Sequence, residues 1–318
     1  MSREARDRLA AGLTAVAAIL CLALAFGIAV ALLAKSRPVL ATTPVARLLL
    51  SSSWHPMKRE FGLYPFIIGT FWVSGLAMAI AIPICLLTAV YISEYSHRRL
   101  RSMTKPLLDL LAGIPPVVFG LWGVLVIVPL VGKLAPAVFR QSRWLATVPL
   151  VGKRLVTLVT PTGGFSTGYS VLAGGIVLAI MIFPIVISVT EEVLRKVPVE
   201  ARAASLALGA TRWQTTKHVL LRAALPGVFA AVVLGFSRAF GETMAVLMVV
   251  GNVPAIPHSL FDPAYPLPAL IANNYGEMMS IPLYDSALMF VALVLLVLVL
   301  LFNLLATLVL RSVERRLA

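Results

Sequence analysis

Six stretches of this chain, at 9–34, 66–91, 107–131, 171–190, 223–250 and 286–310, are apolar and carry few charges. Roughly 18 such residues are enough for a helix to cross a bilayer. A helix also satisfies its own backbone hydrogen bonds where no water can. The runs therefore predict an all-α integral membrane protein with six transmembrane helices. Composition agrees: 60% of the 318 residues are hydrophobic and 13% are charged, against roughly 45–50% and about 25% in soluble domains. A mean hydropathy of +0.96 leaves too little polar surface for water on every side.

Arg3, Arg6 and Arg8 precede the first run. A cleavable leader has an apolar segment of only about 7–15 residues. The run here is longer, which predicts a retained helix. The organisation that follows is an N-terminal helix with a first outer loop (1–65), a membrane core (66–310) with an inner loop at 191–222, and a short tail (311–318).

The formal charge of +14 does not point to nucleic acid, because the basic residues lie between the apolar runs. There they set topology and meet lipid headgroups. One side collects the N-terminal arginines, Arg98, Arg99, Arg101 and Lys105, the basic residues of 195–222, and Arg311, Arg315 and Arg316. The other side has fewer, and its loop at 251–285 has none. Positive residues accumulate on the cytoplasmic side, so both termini are expected there. The outer loop at 132–170 is expected to be long. Its stretch at 144–160, split by Lys153 and Arg154, reads as an interfacial or re-entrant piece. The hexapeptide at 128–133 recurs at 148–153 with nothing around it repeated.

Cys21 and Cys85 lie inside apolar runs and predict no disulfide framework. The four histidines show no metal-ligand spacing. There is no P-loop, so any ATP that drives the chain must be bound by another subunit.

Ionisable groups within the runs are rare and so informative. The fifth run contains Ser237-Arg238-Ala239-Phe240-Gly241-Glu242-Thr243. On a continuous helix Arg238 and Glu242 share a face and can pair. A charge near the bilayer centre costs at least ~2.5–3.5 kcal/mol and usually faces the bundle interior or an aqueous path. Two readings stand: a structural ion pair, or an anion site in which the planar guanidinium binds phosphate or carboxylate. Ser237 and Thr243 are expected on the same pathway. A carboxylate beside the arginine can accept the proton that phosphate retains near neutral pH and sulfate lacks, a basis for selectivity. Glu94 and Asp109 read as interfacial. Gly113-Ile114-Pro115-Pro116 interrupts a helix, either as a plain kink or where a cavity satisfies the freed backbone. The loop at 191–222 predicts a short helix lying on the inner face.

These residues resemble the permeases of phosphate-specific ABC importers, from about Trp54 to the C-terminus. The resemblance is carried by Trp54-His55-Pro56, Phe61-Gly62 and the run from Pro65 to Thr70; by the run from Leu110 through Gly113-Ile114-Pro115-Pro116 to Gly120-Leu121-Trp122-Gly123; and by the run from Arg238 to Val246. The last two are similar to the C-type subunit more than to its A-type partner. The resemblance implies a type I importer fold and a homologous A-type permease. It also implies two ATPase subunits holding ATP and Mg, and a periplasmic phosphate-binding protein. The chain itself is then no enzyme and binds no cofactor or metal, and its Arg238 and Glu242 are associated with phosphate passage. The family's coupling motif, Glu-Ala-Ala-x3-Gly-x9-Ile-x-Leu-Pro, maps onto Ala203, Ala204, Ser205 and Gly209. It departs at Ala203, where glutamate is usual, and at Arg222, where proline is usual. Glu200 lies one turn earlier and offers a substitute. The alternatives are a sulfate or molybdate permease of the same fold and an ion-coupled carrier. The first is opposed by the Arg238–Glu242 motif, and the second by the lack of two related halves.

Overall fold

The computed structural model describes residues 3–142, 152–160, 162, 167–277 and 281–317. Among them, six helices are long and apolar enough to cross a membrane: Ala10–Thr42, Tyr64–Tyr95, Pro116–Arg140, Val171–Arg195, Arg212–Gly241 and Tyr284–Ser312. In chain order the elements are α1 (Arg3–Thr42), α2 (Val45–Leu50), a hairpin of β1 (Trp54–His55) and β2 (Glu60–Phe61), α3 (Tyr64–Val90), α4 (Arg98–Ala112), α5 (Pro116–Trp122), α6 (Val128–Ser142) and α7 (Gly152–Val159). These are followed by α8 (Val171–Arg195), α9 (Val199–Ala207), α10 (Arg212–Thr215), α11 (Leu221–Gly241), α12 (Met244–Val249), α13 (Leu267–Asn274) and α14 (Tyr284–Leu317).

The first, second, fourth and sixth spans match the expected runs with longer ends. The third does not. The expected run at 107–131 joins two elements. Its first residues belong to α4, an amphipathic helix with no buried residue. The chain then breaks at Pro115 (φ −59°, ψ 138°), and the span proper is Pro116–Arg140. Proline lacks an N–H and disfavours helix in the residue before it, so Pro115-Pro116 ends α4 and opens α5. The outer loop is correspondingly shorter than 132–170, because α6 continues to Ser142. Of the stretch at 144–160, the part before Gly152 lies outside the described residues, and Gly152–Val159 is helical.

The fifth span is also corrected. The expected run at 223–250 is not one helix. α11 stops at Gly241, Glu242 is extended (φ −71°, ψ 127°), and α12 begins after Thr243. The Glu242 carboxylate accepts the Ala245 N–H at 3.4 Å, a local bond that competes with continuing the helix.

The main core lies where α3, α8 and α11 pack, with α5 and α12 closing it. In membranes, small residues let helices approach closely. A β-carbon on Gly175 would fall 2.7 Å from Leu76, and one on Gly235 would fall 2.5 Å from Val186. A second cluster gathers Val39, Leu48, Phe61, Leu63, Phe66, Tyr265, Leu270 and Tyr284. Trp54 meets Phe66 edge-on at 5.0 Å and Phe61 at 5.6 Å. This cluster unites the β1–β2 hairpin with α13 and the start of α14, so residues before 65 share a core with residues near 284.

Candidate functional site

Arg238 sits in the last turn of α11. Phe236 stacks on Phe302 of α14 at 3.8 Å, and Phe240 meets Phe71 of α3 at 5.3 Å. Arg238 is two residues from each, so it leaves the opposite side of the helix, one turn beyond Gly235. The side chain is partly buried. Its Nε is fully buried and has no hydrogen-bond partner among the described residues.

The expected pairing with Glu242 is not formed. Ion pairs among the described residues join His55–Glu60, Arg195–Glu191, Lys196–Glu192 and Arg202–Glu94. The reason is the break at Gly241: the four-residue spacing brings two side chains together only on an unbroken helix. Glu242 instead lines a crevice of about 10 Å³ with Thr70 and Ser74 of α3, Pro266 and Pro268. Ser237 donates to Asn303 Oδ1 of α14 at 2.8 Å, so its hydroxyl proton is already committed between helices. Thr243 donates to the Gly241 carbonyl at 3.3 Å across the break.

The second group lies between the fourth and fifth spans. α9 is two-faced: Ala201, Arg202 and Ser205 are partly covered, while Glu200, Ala203, Ala204, Leu206 and Ala207 are exposed. Leu208 beyond it is 89% exposed. The helix ends in a Schellman arrangement, with Gly209 N–H donating to Leu206 O at 3.0 Å and Ala210 N–H to Ser205 O at 3.3 Å. Gly209 has φ +83° with open space around it, so backbone conformation rather than crowding demands glycine there. Thr211 and Gln214 then form a reciprocal capping box that starts α10.

One pairing in this region had no local sequence signal. Glu94 and Arg202, 108 positions apart, pair at 2.9 Å. Nearby, a groove of about 740 Å³ runs between α4 and α8. It is lined by both signs of charge, including Arg101, Lys105, Asp109, Glu191 and Arg195.

At the opposite end of α8 the loop after α12 folds back on the helix start. Val171 and Leu172 N–H donate to the Asp262 and Leu260 carbonyls at 2.9 and 2.8 Å. The buried Asp262 carboxylate accepts from Thr162 N–H and hydroxyl at 2.8 and 2.7 Å, and from His258 and Ser259 N–H at 3.0 and 2.9 Å. Burial pushes this carboxyl up, but the bonds from Thr162, His258 and Ser259 outweigh it and hold the group below its ordinary value.

A bundle of six spans with a short two-faced helix between the fourth and fifth is the architecture of ABC importer permeases of the type I fold. A bacterial ABC transporter involved in the import of the acidic polysaccharide alginate superposes with a TM-score of 0.55 over 96% of each chain, at 15% identity. That likeness concerns fold alone. The chain belongs to the family of binding-protein-dependent transport system inner membrane components, whose profile matches residues 81–318. Its relatives include the probable ABC transporter permease protein YqgH of Bacillus subtilis, 37% identical over 259 residues, covering 81% of this chain and 75% of that protein. The phosphate transport system permease protein PstC of Mesorhizobium japonicum is 34% identical over 303 residues, covering 95% and 89%. The chain is thus a multi-pass inner-membrane permease subunit that works with ATPase and substrate-binding partners, and ATP hydrolysis takes place on separate subunits.

Proposed function

We propose that this chain is the C-type permease subunit of an ATP-driven inorganic phosphate importer, moving phosphate from periplasm to cytoplasm by alternating access. The observation that carries this reading is the guanidinium of Arg238, partly buried at the broken end of the fifth span with its Nε unpartnered. A buried donor left open is costly, and a planar cation with open donors suits a tetrahedral oxyanion. Glu242, across the break, is available to accept the proton that phosphate keeps and sulfate lacks. The phosphate permeases among the relatives support the choice of substrate.

The crevice beside Glu242, about 10 Å³, has room for roughly one water and none for phosphate. Phosphate therefore does not pass through this crevice as it stands. In this reading both termini are cytoplasmic, and an A-type permease completes the channel. A periplasmic phosphate-binding protein delivers at the outer face. Of two ATPase subunits holding ATP and Mg, one docks on the exposed face of α9 and its Gly209 turn, with Glu200, Ala203 and Ala204 in the contact region and Ser205 backing them from the covered side.

The test is phosphate uptake by the whole assembly in vesicles. Arg238→Ala is expected to lower uptake at least about tenfold, the scale of one lost charge-assisted hydrogen bond, without loss of subunits. Undiminished uptake by the intact Arg238→Ala complex would reject the reading.

A further inference from the structure

Force applied to the exposed side of α9 has to reach the spans through the contacts on its covered side. Arg202 and Ser205, one turn apart and therefore on the same face, supply two of them. Ser205 Oγ lies 3.0 Å from Thr215 Oγ1 of α10, which leads into α11. Arg202 Nη2 reaches Glu94 Oε1 at 2.9 Å, with side chains only 29% and 10% exposed.

Glu94 lies in the wide helical turn Tyr91–Tyr95 that ends the second span. Such turns lack the regular ladder and leave carbonyls to be satisfied elsewhere. Arg101 of α4 serves them, donating through Nε to Ile92 O at 3.0 Å and through Nη2 to Ser93 O. Ser93 Oγ also donates to Glu94 Oε1 at 2.9 Å. The end of α3 is therefore gripped by one arginine on its backbone and another on its carboxylate. α3 in turn packs along α8 and α11, and α11 carries Arg238. A short pair this sheltered is screened little by salt and resists stretching more than a surface bridge does.

We infer that the Glu94–Arg202 ion pair is a positioning link for transport, through which displacement of α9 is delivered to α3. This rests on the reading that ATPase subunits dock on α9. The link predicts a specific fault when it is cut: ATP is still hydrolysed, but phosphate does not follow.

The experiment measures phosphate uptake and ATP hydrolysis on the same vesicles containing the full assembly. Glu94→Gln and Arg202→Gln should each lower phosphate moved per ATP about tenfold, while the ATPase subunits remain bound. Exchanging the two charges (Glu94→Arg with Arg202→Glu) should recover a substantial part of the ratio. An unchanged ratio in either single variant overturns the inference, and so does an assembled exchange variant that stays uncoupled. If the neutral variants do not assemble, Glu94→Asp decides. It keeps the charge and shortens the reach, so the ratio should fall, and an unaltered ratio counts against the link. Leu208→Asp separates the underlying reading. If it neither releases the ATPases nor alters coupling, docking on α9 is wrong. If it releases them while Glu94→Gln and Arg202→Gln couple normally, docking stands and the link fails.

Discussion

Two arginines of this chain, Arg202 and Arg238, are both partly buried, each with a buried Nε that has no partner among the described residues, yet only Arg202 meets a carboxylate. Arg202 finds a carboxylate 108 residues away, and that pair ties α9 to the second span. Arg238 has a carboxylate four residues ahead, yet the helix breaks before the two can pair. A fold that only needed to neutralise Arg238 had the simpler course of continuing α11 by one turn. The contrast separates a cation paired within the fold from one that meets no carboxylate among the described residues.

Thermal unfolding tests that contrast most strongly. Removing one partner of a fully buried pair costs about 3–5 kcal/mol; with Arg202 29% and Glu94 10% exposed the loss falls at or below the low end of that range, and Arg202→Ala should still lower the unfolding temperature. Arg238→Ala abandons no ion pair and should leave it nearly unchanged; equal losses in the two variants would erase the distinction. Next is Asp262, a buried carboxylate also spent on architecture. Asp262→Asn cannot accept all four bonds, which should cost about 1–3 kcal/mol. Because folding lowers this carboxyl's pKa, its contribution is fully present above the ordinary aspartate value of about 3.9 and fades as pH falls through the lower folded value. The wild-type protein should therefore lose stability in that acid range more steeply than Asp262→Asn does, which acid titration of unfolding would reveal.

Gly209→Ala carries a smaller penalty, about 1–2 kcal/mol for a left-handed alanine, confined to the α9 turn. It should be seen as faster hydrogen exchange there, with Gly209→Asn closer to wild type. The smallest effect belongs to Ser237→Ala. Hydrogen bonds between membrane helices average about 0.6 kcal/mol, so losing the bond to Asn303 should barely shift unfolding. A large fall in uptake from that change would place Ser237 with Arg238 rather than with the scaffold.

The spans were legible in the sequence because hydropathy alone selects them, and Pro115-Pro116 announced a helix end. What a hydropathy window cannot separate is an amphipathic helix abutting a span: Leu107, Leu110 and Leu111 belong to α4 but read as continuous with α5. The break at 241–243 contains no proline and is flanked by apolar residues, so it gave no warning. Arg238, Glu242 and Gly209 stood out as residue types in unusual surroundings. Their geometry did not, since it depends on which helix ends where. Glu94 read as interfacial and Arg202 as one more basic loop residue, so nothing local paired them across 108 positions, and the ligands of Asp262 are mostly backbone amides, which every sequence contains.

The length of the first span carries a further consequence. Its 33 residues, Ala10–Thr42, measure about 50 Å at 1.5 Å per residue, against a hydrocarbon slab of about 30 Å. Unless strongly tilted, the helix stands proud of the lipid. Near its C-terminal end Val39 is tied by its amide to Ser286 at 3.0 Å, beside the aromatic cluster of Trp54, Phe66 and Tyr284. α1 therefore acts as a mast that sets the height of this cap. Changing bilayer thickness should lean the mast and shift the cap, while the packing of α3, α8 and α11 stays as it is.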